Sequence, residues 1–122
     1  MSGGCDLNND GVDDFIIGCW PNSVVNAAVF VVFGRHGTSS WPSTGIISTS
    51  DLIIGGVHGF KIIPGSSSSG WTSAFGSMSQ CVDDYNGDGF NDILFGDFGA
   101  DSNRGRAVLV YGHGGSSWPS II

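Results

Sequence analysis

Asp84 to Asp92, DYNGDGFND, sets oxygen-bearing side chains at alternating positions, Asp84, Asn86 and Asp88, and closes on Asp92, with Gly89 among them. Carboxylate and amide oxygens are hard donors, and several of them within one short loop suit a hard cation such as calcium. The glycine allows a sharp backbone turn that a Cβ would obstruct. The loop therefore reads as a calcium site. Asp84, Asn86, Asp88 and Asp92 supply side-chain oxygens, Phe90 supplies its carbonyl, and water completes the shell. Asp6 to Asp14, DLNNDGVDD, is a second copy, with Asp6, Asn8, Asp10, the Val12 carbonyl and Asp14 in the same roles. The competing reading is a pair of Asx-rich turns that hold no metal.

The two loops belong to a longer internal repeat. At a fixed offset of 78 residues, Asp6 to Gly34 aligns without a gap on Asp84 to Gly112, and eight of 29 positions are identical. The segment SSWPS at Ser39 to Ser43 returns at Ser116 to Ser120 after a one-residue shift. A period of this length marks one structural unit used twice.

Each loop must be held by the elements that follow it. Asp14 to Gly18 and Asp92 to Gly96 read as short buried strands, and Ala27 to Phe33 and Arg106 to Tyr111 as longer ones. Continuous apolar runs of this kind suit strands covered on both faces. Cys19 to Asn26 and Asp97 to Gly105 are the connections, and Gly59 to Ile63 reads as a further strand ahead of Pro64. Trp71 to Cys81 alternates small and apolar residues as a closely packed strand would, with the strand proper over Ala74 to Cys81. The expected fold class is all-β, divided into a unit over residues 1–64 and a unit over residues 65–122.

Composition agrees. The 122 residues include 21 glycines, no glutamate and 12% charged side chains, which leaves little helix-forming potential. The net charge is −7, yet eight of the eleven aspartates lie at positions 6–14 or 83–92, so two bound calcium ions would leave about −3. Four scattered Lys and Arg residues make no footprint for nucleic acid. No apolar run is long enough to insert in a membrane. Cys5, Cys19 and Cys81 lack metal-ligand spacing. They read as small buried side chains, or as one disulfide plus one unpaired thiol in an oxidising compartment. Modestly charged calcium loops suit extracellular calcium levels, so the expected location is extracellular or the cell surface. Met1 to Asp6 is no signal peptide, so a leader has been removed or the chain is part of something longer.

Calcium loop, apolar strand and glycine, followed by the strand Ala-Val-Phe-Val-Val-Phe-Gly, together resemble the FG-GAP repeat of integrin α-chain β-propellers and related extracellular proteins. The resemblance covers nearly the whole chain. It implies four-stranded propeller blades, about two of them here, with calcium held between the first and second strands of each. Phe75 and Gly76 match the family's Phe-Gly, Gly96 matches the Gly of Gly-Ala-Pro, and the nonapeptides match its calcium loops. Asp97 and Phe98, or Cys19 and Trp20, stand where Ala-Pro is usual. No Phe-Gly strand precedes Asp6, so the first unit is expected to have its second, third and fourth strands and little of its first. The second unit is expected to lack its fourth strand.

Helical calcium modules are excluded, because their last ligand position falls on Ile17 and Phe95 inside apolar β runs. The expected function is a calcium-binding extracellular structural or adhesion module without catalysis. Its blade pair would be completed by further blades or copies of the same chain, with strands exchanged at Met1 to Cys5 and Ser116 to Ile122. A propeller closes with about four to eight blades, so three or four copies would suffice, and copies could also stack into a filament. The alternative is a glycan-binding module that uses Trp41, Trp118 or the loop after Asp97. His36, His58 and His113 show no shared metal spacing and read as turn or structural residues. The serine run in Gly65 to Gly70 reads as a surface loop, or as an O-glycan acceptor.

Overall fold

The computed structural model describes residues 2–37, 46–52, 57–65, 70–115, 118–119 and 122. Two antiparallel sheets form the fold. The first has the order β1 (Ser2–Cys5), β2 (Asp14–Cys19), β3 (Ala28–Val32), β4 (Gly59–Ile62), and the second has β5 (Met78–Val82), β6 (Asp92–Asp97), β7 (Arg106–Val110). Consecutive strands pair throughout, and the architecture is all-β apart from short helical turns.

The β-branched and aromatic runs become β2, β3, β6 and β7 because such side chains fit a pleated, half-buried surface. Phe15 pairs with Val32, and Ile17 with Phe30. In the second unit Ile93 pairs with Val110, and Phe95 with Val108. These are the same pairs at the repeat offset of 78, so the repeat extends from sequence to strand register.

Three expectations are corrected. The first unit has its first strand, because Ser2–Cys5 pairs antiparallel with β2 across an irregularity between Gly3 and Cys5. A segment reading Ser-Gly-Gly-Cys carries no strand propensity, so this strand follows from tertiary contacts. In the second unit the strand is Met78–Val82, shorter than Ala74 to Cys81. Thr72 to Ser77 forms turns instead, closed by Phe75 N–H donating to the Thr72 carbonyl and Ser77 N–H to the Ala74 carbonyl. Finally, β7 pairs only with β6 among the described residues, and Ala107 and Leu109 are exposed, so it is an edge strand with one open face. Both ends of the chain pair within it. In addition to β1, Ile122 N–H donates to the Ile63 carbonyl and Gly65 N–H donates to that of Ile122. Of the two segments expected to exchange with a neighbour, Ser2–Cys5 and Ile122 have partners inside the chain, and residues 1, 116, 117, 120 and 121 lie outside the described residues.

The two sheets stack against one core. Ile16, Val29, Val31, Phe60 and Ile62 come from the first, and Ile93, Phe95 and Val110 from the second, with Trp71 and Phe75 between them. Phe75 is fully buried and meets Trp71 and Phe95 edge-on, with centroids 5.0 and 5.1 Å away. Next to it, Gly76 has a φ of +74° and presses its carbonyl onto β2. A Cβ on Gly18 would lie 1.8 Å from that oxygen. A disulfide between Cys5 and Cys81 joins β1 to β5, and Cys19 is free.

Two outcomes follow from this stack. Gly18→Ala forces backbone away from backbone and should destabilise by about 2 kcal/mol or more, as overpacking does. Thermal melting checks it, and an unchanged midpoint would contradict the close approach. Reducing Cys5–Cys81, which spans 76 residues, should cost roughly 2–5 kcal/mol. Denaturant titration with and without reductant reads that loss.

Candidate metal centre

Each nonapeptide starts where the first strand of its unit ends and finishes on the first residue of the central strand, so the sheet fixes both ends of the loop. Inside it, the short polar side chains accept hydrogen bonds from the backbone around them. Asp10 N–H donates to Asp6 Oδ1 at 2.9 Å, Gly11 N–H to Asp6 Oδ2 at 2.7 Å, and Val12 N–H to Asp10 Oδ1 at 2.9 Å. In the second loop Asp88 N–H donates to Asp84 Oδ1 at 3.0 Å, Gly89 N–H to Asp84 Oδ2 at 2.7 Å, and Phe90 N–H to Asp88 Oδ1 at 3.0 Å. The Asn8 amide donates to Asp10 Oδ2 at 3.1 Å, and that of Asn86 to Asp88 Oδ2 at 2.8 Å. The second loop adds a bond from Gly87 N–H to Asp84 Oδ1 at 2.7 Å, and the shared pattern at two sites 78 residues apart means that the spacing specifies the loop conformation.

The turns need left-handed backbone at two positions per loop. Gly11 and Gly89 supply one, at φ of +84° and +92°. The other falls on Asn9, at +55°, and on Gly87, at +76°. Asparagine tolerates this region better than most side chains, which explains why Asn and Gly alternate there.

Asp14 and Asp92 differ from the other carboxylates. They are 1% and 0% exposed, and each spans from the loop to the third strand of its unit. Leu7 N–H donates to Asp14 Oδ2 at 2.8 Å and Gly34 N–H to Oδ1 at 2.8 Å. Tyr85 N–H donates to Asp92 Oδ2 at 2.8 Å and Gly112 N–H to Oδ1 at 3.0 Å. Burial pushes the Asp14 carboxyl up to about 6, partly offset by those two N–H groups and reinforced by Asp10 and Asp6. Asp84, at the surface, is held below the usual carboxylate range, chiefly by the Gly89 N–H. Both glycines at the far end are required. A Cβ on Gly34 would lie 2.1 Å from the Asp13 carbonyl, and one on Gly112 would lie 2.1 Å from that of Asn91.

The two loops touch. Asp6 N–H donates to Asn91 Oδ1 at 3.0 Å, Asn91 N–H donates to the Asp6 carbonyl at 3.3 Å, and His113 N–H donates to the Leu7 carbonyl at 3.1 Å. In the sequence Asn91 stands out only by its departure from Asp13 at the matching position. Asp97 was likewise read only as a departure from Ala-Pro. It is 1% exposed and accepts from the Thr72 N–H and hydroxyl at 2.6 and 2.7 Å and from the Gly99 N–H at 2.9 Å. Asp97 thereby anchors the turn that carries Phe75.

Asp6, Asn8 and Asp10 in one loop, and Asp84, Asn86 and Asp88 in the other, place hard oxygen donors within one hydrogen-bonded turn. Asp6, Asp14, Asp84 and Asp92 each commit both oxygens to backbone N–H groups, so each has only its remaining lone pairs for a ligand. Among the described residues, no three His, Cys, Asp or Glu side chains are grouped closely enough to hold a metal. Of the suggested glycan contacts, Trp41 lies outside the described residues. Trp118 is only 4% exposed and stacks on Phe60 at 4.6 Å and His113 at 4.1 Å, so it packs in the core and offers no face to a sugar.

Replacing Asp92 by Ala strands the buried Gly112 N–H and frees the part-buried Tyr85 N–H, which should cost about 1–3 kcal/mol. Asp88→Ala, at the surface, should change metal-free stability by under about 1 kcal/mol. Paired denaturation curves compare the two. The sequence matches no protein-family model and no curated protein.

Proposed function

We propose that the chain is a calcium-binding structural or adhesion module of the extracellular space, non-catalytic, built as two propeller-like blades that continue into neighbouring units. The observation that carries this reading is the duplicated loop network, in which oxygen donors are ordered by backbone N–H groups at two matching sites. Asp6, Asn8, Asp10 and Asp14, with the Val12 carbonyl, would hold one calcium. Asp84, Asn86, Asp88 and Asp92, with the Phe90 carbonyl, would hold the other. The bound ion would neutralise carboxylates that otherwise repel one another across a short loop. The Cys5–Cys81 disulfide supports an oxidising compartment. No helix among the described residues is long and apolar enough to cross a membrane.

Isothermal calorimetry should find two calcium ions per chain, and calcium should raise the melting temperature by mass action. Magnesium should reproduce the rise poorly, because it favours a smaller octahedral shell. Asp88→Ala should retain one ion. A melting curve that chelator leaves unchanged would sink the calcium reading.

A second reading, glycan binding, is favoured by one observation. Trp20 and Phe98, matching residues of the two units, meet edge-on at 5.7 Å and remain 64% and 58% exposed. Aromatic faces left open in this way can stack on sugar rings. A glycan array at fixed calcium should then give signals that Trp20→Ala abolishes, whereas a blank array leaves the structural reading alone.

A further inference from the structure

The repeat offset identifies the same two faces on each unit, and within the chain one face of the first unit stacks on the opposite face of the second. On the first unit Leu7, Ile16, Val29 and Val31 are all 0% exposed. Their counterparts on the second unit are Tyr85, Leu94, Ala107 and Leu109. Three of these, Tyr85, Leu94 and Leu109, are 74%, 40% and 36% exposed, and Ala107 is exposed as well. The opposite faces show the converse. Ile93 and Phe95 of the second unit are buried against the first sheet. Their counterparts Phe15 and Ile17 line an open groove of about 460 Å³, which Ile47 and Leu52 border.

The glycines repeat this asymmetry. Gly18 receives the Gly76 carbonyl, whereas its counterpart Gly96 lies in an open groove of about 390 Å³ with Met78 and Leu94. The loops do the same. Asp6 N–H is bound by Asn91, while Asp13, the counterpart of Asn91, stands exposed with carboxylate oxygens able to accept from Asp84 N–H of another molecule. Among the described residues, each chain thus has one uncovered face of the kind it buries on its first sheet and one of the kind it buries on its second.

We propose that a second copy of this chain stacks head-to-tail on the first, with the Leu94–Leu109 face of one copy on the Phe15–Ile17 groove of the next, repeating the contact made inside the chain. This rests on the reading of the chain as a unit that continues into neighbouring units. Because the two faces differ, the contact is heterologous and propagates into a ring or an open filament.

The in-chain disulfide supplies the test. Shifted by the repeat, Cys5 falls on Asp83 and Cys81 on Gly3, and a Cβ at Gly3 meets nothing closer than 3.5 Å. In a Cys19→Ser background, a mixture of Gly3→Cys and Asp83→Cys chains under mild oxidation should give a covalent dimer that neither variant gives alone. In the same background Leu109→Lys should weaken self-association about ten-fold or more by light scattering and leave the monomer's melting temperature unchanged. If Leu94→Cys crosslinks to itself while the mixture does not, the faces pair symmetrically. That overturns the head-to-tail contact but leaves continuation into neighbours standing. A folded monomer at high concentration, with no crosslink in any variant, overturns both.

Discussion

A buried carboxylate at the first residue of each central strand ties each nonapeptide loop to its sheet. Asp14 and Asp92 each join the start of a loop, at Leu7 or Tyr85, to the end of a third strand, at Gly34 or Gly112. An ionised group in the interior is costly unless hydrogen bonds satisfy it, and an orphaned backbone N–H in the interior is costly too. Each pairing removes both costs at once. It also places the loop at the rim of an apolar sheet, where Asp10 and Asp88 stay in water.

The stack of the two sheets depends on the absence of side chains at a few points. Gly18 lets the carbonyl of a left-handed Gly76 come into backbone contact, which lowers Phe75 into the core between Trp71 and Phe95. Asp97 holds that turn from below through Thr72, and Arg106 holds the next one, with its guanidinium paired to Asp101 at 2.6 Å and lying 4.9 Å from the centre of the Trp71 ring. The turn over Ala100–Asn103 places three non-glycine residues at positive φ, a conformation that costs on the order of 1 kcal/mol per residue. The ion pair and the Asp101 N–H bond to the Gly70 carbonyl tie it down.

On the proposed reading, ion binding and sheet stacking reinforce each other. The first loop sits between the units, with Leu7 buried and Asp6 bonded to Asn91, whereas the second loop presents Tyr85 to solvent. A cation that rigidified the first loop would therefore stiffen the contact between the sheets. In the second loop it would order a surface that the next unit covers.

Features that depend on local spacing are legible in the order of the residues. The Asx and glycine positions specify both loops, because those hydrogen bonds run between residues seven or fewer apart, apart from the longer spans from Asp14 and Asp92 to Gly34 and Gly112. The apolar runs specify β2, β3, β6 and β7, because continuous β-branched and aromatic residues between glycines and turn residues fit a pleated backbone best. Only the tertiary structure decided the remainder. Ser2–Cys5 becomes a strand because β2 offers an unpaired edge and Cys81 lies within bonding reach. Trp71 to Ser77 turns instead of extending because Asp97, 25 residues beyond Thr72, captures it. Trp118 is buried because Phe60 and His113 come together around it, and Leu94 is exposed where Ile16 is covered because only one of two matching faces has a partner within the chain. Contacts between residues this far apart leave no local pattern, since the chain must fold before it brings them together.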